Sequence, residues 1–202
     1  ETHVDAPWTP RHAALIALVD RLGGAADLSA GTDDCATAEQ WLSAPMTGRD
    51  GVVAKRHGGR YTPGERTMVK AKRVRTADCV VGGFRYLAGQ PLVGSLLLGL
   101  YDDTGRLDHV GFTATISNAE RPKLTERLEA LAGPPGFTGD APGGPIRWSN
   151  DRSAQWTPLK PELVVEVAFD HVTGGRFRHG TRLLRWRPDK AAAQCRREQL
   201  DV

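Results

Sequence analysis

The sequence predicts an α+β chain in two parts, a helix-and-strand section followed by a small β-barrel. Three observations predict it. Apolar residues recur at helical spacing near the N-terminus. From Cys79 onward the pattern becomes short apolar runs separated by turn residues. A single helical stretch, "RPKLTERLEALAG", interrupts those runs.

The first helix is predicted over "WTPRHAALIALVDRLGG", where Leu15, Ile16, Leu18, Val19 and Leu22 recur at helical spacing. Thr9-Pro10 reads as its capped start and Gly23-Gly24 as its stop. A second short helix is expected over "TAEQWLSAPM", with Pro45 ending it and a turn at Gly48. Strands are expected at "GVVAKR" and "TMVKAKR", joined by "HGGRYTPGER", a Gly- and Pro-rich loop whose charges face water in the plain reading.

The barrel strands are "CVVGGFRY", "GSLLLGLYD", "LDHVGFTAT" and "ELVVEVAFDHV". "DDTG" is a hairpin turn, and Gly82-Gly83 and Gly94 suggest bulges or sharp bends. The interrupting helix spaces Leu124, Leu128 and Leu131 for one buried face and ends at Gly133. Strand-strand-strand-helix-strand is the order of an OB-fold barrel. "GPPGFTGDAPGGP" reads as a long surface loop carrying variation rather than chemistry. The boundary falls near Arg75 to Asp78, giving domains 1–76 and 77–202.

Composition narrows the function classes. With 40% hydrophobic and 25% charged residues, the 202-residue chain has ordinary globular composition. The net charge of +3 suits a phosphate-bearing partner without requiring one. Cys35, Cys79 and Cys195 are far apart and lack metal-ligand spacing, so neither a zinc site nor a disulfide framework is expected. There is no apolar run of about 18 residues and no signal-like N-terminus, so the expected compartment is the cytoplasm.

Three clusters concentrate cations: "VVAKRHGGRYTPGER", "VKAKRVR" and "GRFRHGTRLLRWRPDK". Lys70 and Lys72 lie two apart on a predicted strand, so both ammonium groups leave one face. Two unit charges ~6 Å apart at an effective dielectric of ~20 repel by ~3 kcal/mol before screening, and a bound anion would reverse that cost. A solvated strand face is the plain alternative. In the last cluster Arg176, Arg178, Arg182, Arg185, Arg187 and Lys190 interleave with Leu183, Leu184 and Trp186, and Pro188 stiffens the run. That pattern fits a structured phosphate-binding element, since guanidinium forks bind phosphate bidentately. A nonspecific nucleic-acid tail is the alternative.

These residues resemble motifs of the ATP-dependent DNA ligases, within the covalent nucleotidyltransferases, over essentially the whole chain. "DGVVAKR" (Asp50 to Arg56) is similar to the family's fourth motif, "YTPGER" to the Tyr-x-Pro-Gly-x-Arg stretch of bacterial ligases, and "MVKAKR" to the fifth motif. "RWRPDK", with Arg185, Arg187, Asp189 and Lys190, is similar to the sixth. Within the family, the barrel segments most resemble bacterial DNA ligase C. The resemblance implies the C-terminal part of a nucleotidyltransferase (adenylation) domain over 1–76 and an OB-fold domain over 77–202. It implies ATP and Mg2+ as cofactors and nicked double-stranded DNA as partner. It places Lys55, Lys70 and Lys72 at the nucleotide, with Lys70 and Lys72 on the α-phosphate and Asp50 near the metal. It also places Arg185, Arg187, Asp189 and Lys190 where the β- and γ-phosphates are oriented during self-adenylation.

Two departures stand out. None of the six lysines lies in the family's Lys-x-Asp-Gly nucleophile motif, and Asp50 replaces the more usual Glu. The chain is therefore expected to be a fragment or a split subunit, inactive alone, whose partner is the N-terminal half of the adenylation domain. Ligation through lysyl-AMP and DNA-adenylate intermediates further implies a hinge at "KRVRTAD", because the barrel must swing between steps. A non-catalytic OB-fold DNA-binding module and a capping guanylyltransferase are the competing readings. His57, His109, His171 and His179 read as surface or hydrogen-bonded residues, Trp148 and Trp156 as core plugs, and Glu166 is assigned no role.

Overall fold

The computed structural model describes residues 2–43, 51–143 and 155–200. The chain forms two compact units, Glu1–Arg73 and Val74–Val202, dividing inside the basic segment "KAKRVR".

The first unit contains α1 (Trp8–Arg21), α2 (Cys35–Ser43), β1 (Val52–Ala54) and β2 (Val69–Ala71). α1 stops where the sequence predicts, because Gly23 and Gly24 take φ +57° and +91°, a region that side chains with a Cβ rarely adopt. Its start differs. Pro7 is the cap residue and makes no side-chain cap bond, while the Thr9 hydroxyl donates to the His57 carbonyl at 3.2 Å. A hydroxyl one position inside the helix is drawn to the loop that crosses it. The helix buries no residue, and Leu15, Leu18 and Leu22 are exposed. α2 is capped by Asp34, whose carboxylate accepts from the Thr37 amide at 2.8 Å and the Thr37 hydroxyl at 2.7 Å. Those bonds hold its pKa below the ordinary carboxylate value. Pro45, Gly48 and Asp50 lie outside the described residues. β1 and β2 pair antiparallel as Val52↔Ala71, Val53↔Lys70 and Ala54↔Val69. Only glycine fits before β1, since a Cβ on Gly51 would sit 2.3 Å from the Ala71 carbonyl oxygen.

The second unit begins with β3 (Arg75–Tyr86), β4 (Val93–Tyr101) and β5 (Leu107–Thr113), followed by α3 (Arg121–Glu129). The later strands are β6 (Thr157–Pro158), β7 (Val164–Phe169), β8 (Val172–Thr173), β9 (Arg176–Phe177) and β10 (Arg182–Trp186). The main sheet runs β10-β7-β3-β4-β5, every neighbouring pair antiparallel, with β6 added to β3. The ladder does not close into a full barrel. Its two ends meet at one parallel bridge, Thr113↔Thr181, with the Thr181 amide donating to the Phe112 carbonyl at 2.9 Å. The connectivity is that of an OB-fold. The "DDTG" turn forms, with Asp102 Oδ1 accepting from the amides of Thr104 and Arg106. The register slips between Val81 and Gly83 and again opposite Gly94, as the glycines predict.

The core is built from Val80, Val81, Phe84, Leu96, Leu97, Leu98 and Leu100, all fully buried. α3 buries Leu124 and Leu128 but extends only to Glu129, and Leu131 is partly buried. The buried Arg121 side chain donates to the Val93 and Gly94 carbonyls, and the Thr125 hydroxyl accepts from the Val93 amide at 2.9 Å, which ties α3 to the start of β4.

The Gly- and Pro-rich loop after α3 departs from its predicted surface position. Phe137 is buried over Gly82 and Gly99, where an added Cβ would approach the ring to 2.7 and 2.9 Å. Trp156 and His109 meet the same ring edge-on, with centroids 5.4 and 5.3 Å away. The loop amides and carbonyls bond to β5, with the Asp140 amide on Asp108 Oδ1 at 2.7 Å and the His109 amide on the Asp140 carbonyl at 2.8 Å. One aromatic residue facing glycines was enough to draw a polar loop inward. Trp148 lies outside the described residues.

Candidate functional site

Lys70 sits in β2 directly opposite Val53, exposed, and makes no ion pair among the described residues. Strand alternation sends its ammonium group to the face opposite Ala54 and Val69. Lys72 follows one residue beyond β2 and is exposed, and Lys55 is exposed just after β1. Among the described residues no group of three or more His, Cys, Asp or Glu side chains could hold a metal ion. Asp50, the residue expected near magnesium, is outside them.

The first unit also contains a cleft of about 940 Å3 between α1, the end of β1 and the "HGGRYTPGER" loop. Its cations are Arg11, Lys55, Arg56, Arg60 and Arg66.

In the second unit the pairing register sets up a charged row. Asp78 on β3 pairs with Glu166 on β7, and Glu166 pairs with Arg185 on β10. Their neighbours Ala77, Cys79, Val165 and Val167 are buried, so alternation places the row on the outer face of the barrel. Arg185 Nε donates to Glu166 at 2.6 Å. Arg187 Nη1 and Lys190 Nζ each donate to a different oxygen of Asp78, both at 2.7 Å. Arg187 also donates to Asp189, with Nη2 at 2.8 Å. The Asp78 side chain is only 12% exposed, against 18% for Arg187 and 23% for Lys190. Gln199 braces it, its side chain accepting from the Asp78 amide at 3.0 Å and donating to the Asp78 carbonyl at 3.2 Å. The hydrogen bonds to Asp189, then the charges of Asp78 and Asp189, raise the Arg187 pKa above its ordinary value. The same contact holds Asp189 down at about 2.

The structure thus brings together Arg185, Arg187, Asp189 and Lys190, and puts Lys55, Lys70 and Lys72 on the other unit. Sequence reasoning missed Asp78 and assigned Glu166 no role. The alternation "ADC" and "VEV" marked both as outward-facing acids, but nothing in the sequence announced that they share a register with Arg185. Arg176, counted with the phosphate-binding cations, instead turns inward, its Nη2 in contact with His109 Nδ1. His109 is itself buried and hydrogen-bonded, the second of the two readings its sequence allowed. The cysteines are free, Cys79 and Cys195 being buried. No helix among the described residues is long and apolar enough to cross a membrane.

Comparison with known proteins gives a family match over this same region. The model of the ATP dependent DNA ligase C terminal region matches residues 89–190, half of the chain. DNA ligase C1 of Mycolicibacterium smegmatis is 42% identical over 97% of this chain and 57% of its own length. DNA ligase C of Mycobacterium tuberculosis is 39% identical over 96% of this chain and 60% of its own. The crystal structure of the ligase domain of M. tuberculosis LigD is similar with a TM-score of 0.53 and 30% identity, over 96% of this chain and 62% of that one. The chain spans about three fifths of the length of these curated relatives. The fold is the end of a nucleotidyltransferase domain followed by an OB-fold, and the chain belongs to the ATP-dependent DNA ligase family as its C-terminal region.

Proposed function

We propose that this chain is the C-terminal part of a DNA ligase that seals nicks in double-stranded DNA using ATP, the nucleophilic lysine being supplied by an N-terminal half of the adenylation domain. The observation that carries the reading is the contrast between the two sets of cations. Lys70 stands exposed on its strand with no ion pair among the described residues, whereas Arg187 and Lys190 are held on the carboxylate of Asp78. Lys70 is poised for a phosphate that is handled in every transfer. The second set is engaged with its own barrel until a polyphosphate offers something better.

Lys70 and Lys72 would hold the α-phosphate and place positive charge where negative charge develops during transfer, a contribution worth roughly a hundredfold or more per donor in preorganised sites. Arg187 and Lys190 would exchange Asp78 for the β- and γ-phosphates. One charge-assisted bond replaces another, so the exchange costs little. Arg185 would exchange Glu166 in the same way, and Lys55 would lie beside the nucleotide. Magnesium, with Asp50 as its carboxylate, would neutralise phosphate oxygens. The hinge that releases the barrel from the nucleotide so that it can face DNA would fall at Lys72 to Val74, the part of "KRVRTAD" that precedes β3.

The test is labelling with [α-32P]ATP followed by denaturing electrophoresis. The 202-residue chain alone is expected to take up no label, and the chain mixed with a matching N-terminal half is expected to yield a labelled band on that half and to join a nicked duplex. A labelled band on this chain, or a mixture that binds DNA without joining it, would refute the reading, and the second result would favour a non-catalytic DNA-binding module.

A further inference from the structure

We infer that Asp78 is a positioning residue for the polyphosphate, a carboxylate built into the barrel that competes for Arg187 and Lys190 and so sets how readily pyrophosphate leaves after the first transfer. It rests on the assignment of those two cations to the β- and γ-phosphates proposed above.

Arg187 meets two acids, and the two are held differently. Asp189 lies two residues away in the same turn with its side chain 63% exposed, so it travels with Arg187 wherever the turn moves. Asp78 belongs to another strand, 109 residues away, and its side chain is only 12% exposed. Asp189 takes the Nε and Nη2 edge of Arg187 and leaves Nη1 to Asp78, whose second oxygen accepts from the Lys190 ammonium. Asp78 is thus the acid that both cations share, and the one they leave on turning to a polyphosphate.

The acid cannot follow them. β7 pairs with β3 at this point, Glu166 opposite Asp78, and the Gln199 side chain bonds both the amide and the carbonyl of Asp78. Gln199 is itself anchored, since it sits in the short 3-10 helix Arg197–Leu200 whose Leu200 is buried in the barrel core. Asp78 therefore stays with the barrel whichever anion the cations hold.

For the cations the exchange is nearly even, because a phosphate oxygen replaces a carboxylate oxygen on each. Asp78 gains nothing in return. A carboxylate so little exposed is left without its two charged donors, which draws Arg187 and Lys190 back. The apparent affinity for any polyphosphate is then scaled down by the fraction of barrels whose cations are released from Asp78. ATP has a nucleoside through which to stay bound, whereas pyrophosphate has phosphate contacts alone. The competition therefore bears most directly on the release of the product.

The test is reversal of adenylation on the chain reassembled with an N-terminal half, labelled with [α-32P]ATP, freed of ATP and given inorganic pyrophosphate with magnesium. A pyrophosphate oxygen attacks the α-phosphorus, the P–N bond to lysine breaks, and the lysine nitrogen keeps the electron pair and takes up a proton, so the label leaves as ATP. The readouts are the maximal rate of label loss and the pyrophosphate concentration that gives half of it. Asp78→Asn keeps the shape of the side chain but removes its charge, and should lower that concentration by about tenfold or more without raising the maximal rate. Gln199→Ala, which loosens the acid without removing it, should shift it the same way by less, and Asp78→Glu should stay within about threefold of the wild type. Glu162→Gln removes an exposed acid of the same unit and controls for bulk charge. A thermal melt checks that each variant is folded. An unchanged or raised half-maximal concentration in Asp78→Asn overturns the inference, the second result making Asp78 an aligner of the cations rather than a competitor for them. An equal shift in Glu162→Gln overturns it as well. Arg187→Ala that reverses at the wild-type pyrophosphate concentration refutes the polyphosphate assignment itself, and this inference with it.

Discussion

Phe137 distinguishes a loop packed into the barrel from a loop lying on its surface, and Phe137→Ala puts a number on the difference. The side chain is 8% exposed and rests over two glycines, with His109 and Trp156 at its edges. Removing it forfeits the transfer free energy of a buried aromatic ring and leaves a void, together about 3–4 kcal/mol. The second unit has about 130 residues, so each kcal/mol lowers Tm by roughly 3–5 °C and the total drop should be about 9–20 °C. Differential scanning calorimetry of the chain reads this directly. A substitution in a solvated loop stays within about 0.5 kcal/mol, so a Tm shift of less than about 2 °C would refute the packing described here.

Gly82→Ala tests the other side of the same contact: its Cβ would meet the Phe137 ring at 2.7 Å, so it should cost about 1–3 kcal/mol alone and less in the Phe137→Ala background, a coupling that a double-mutant cycle measures. His109 should make stability depend on pH. Burial first, then the charges of Arg176 and Arg85, lower its pKa from 6.5 to about 3. Between those values the unfolded chain binds a proton that the folded chain refuses, so this contribution is complete above about pH 6.5 and falls as pH drops, by at most about 1.4 kcal/mol per unit. Urea titrations from pH 7 to 4 should show the slope, and His109→Gln should remove its share; an unchanged profile in the variant would refute the assignment. Asp102 and Asp189, both lowered to about 2, act below this window.

Much of the fold was legible because the residues that set it act locally. Leu15, Leu18 and Leu22 with Gly23-Gly24 specify α1 and its stop, and Gly82 and Gly94 mark the points where β3 and β4 must slip register. What stayed hidden depends on partners distant in sequence. Thr9 looks like a cap until His57, 48 residues on, offers a carbonyl. Phe137 looks like a stray aromatic in a Gly–Pro loop until two glycines from different strands open a slot for it. The candidate site divides the same way. Lys70, Lys72, Arg187 and Lys190 are visible as charge in a pattern, but Asp78 lies 109 residues from Arg187, and only the strand register delivers its carboxylate to both cations. The short strands β6, β8 and β9 carry too few residues for any periodicity to show.

The division of labour between the two sets of cations is open to a paired rate measurement on the chain reassembled with an N-terminal half. One rate is the joining of a nicked duplex from ATP, and the other is the joining of a nick whose 5′-phosphate already carries AMP. Lys70→Ala should slow both by roughly a hundredfold or more, because both reactions handle the same phosphate. Arg187→Ala should slow joining from ATP to a similar degree yet change the closing of the pre-adenylated nick by less than about threefold, a difference of well over 1 kcal/mol between the two barriers. Equal losses of Arg187→Ala in the two reactions would contradict the assignment of the barrel cations to the polyphosphate.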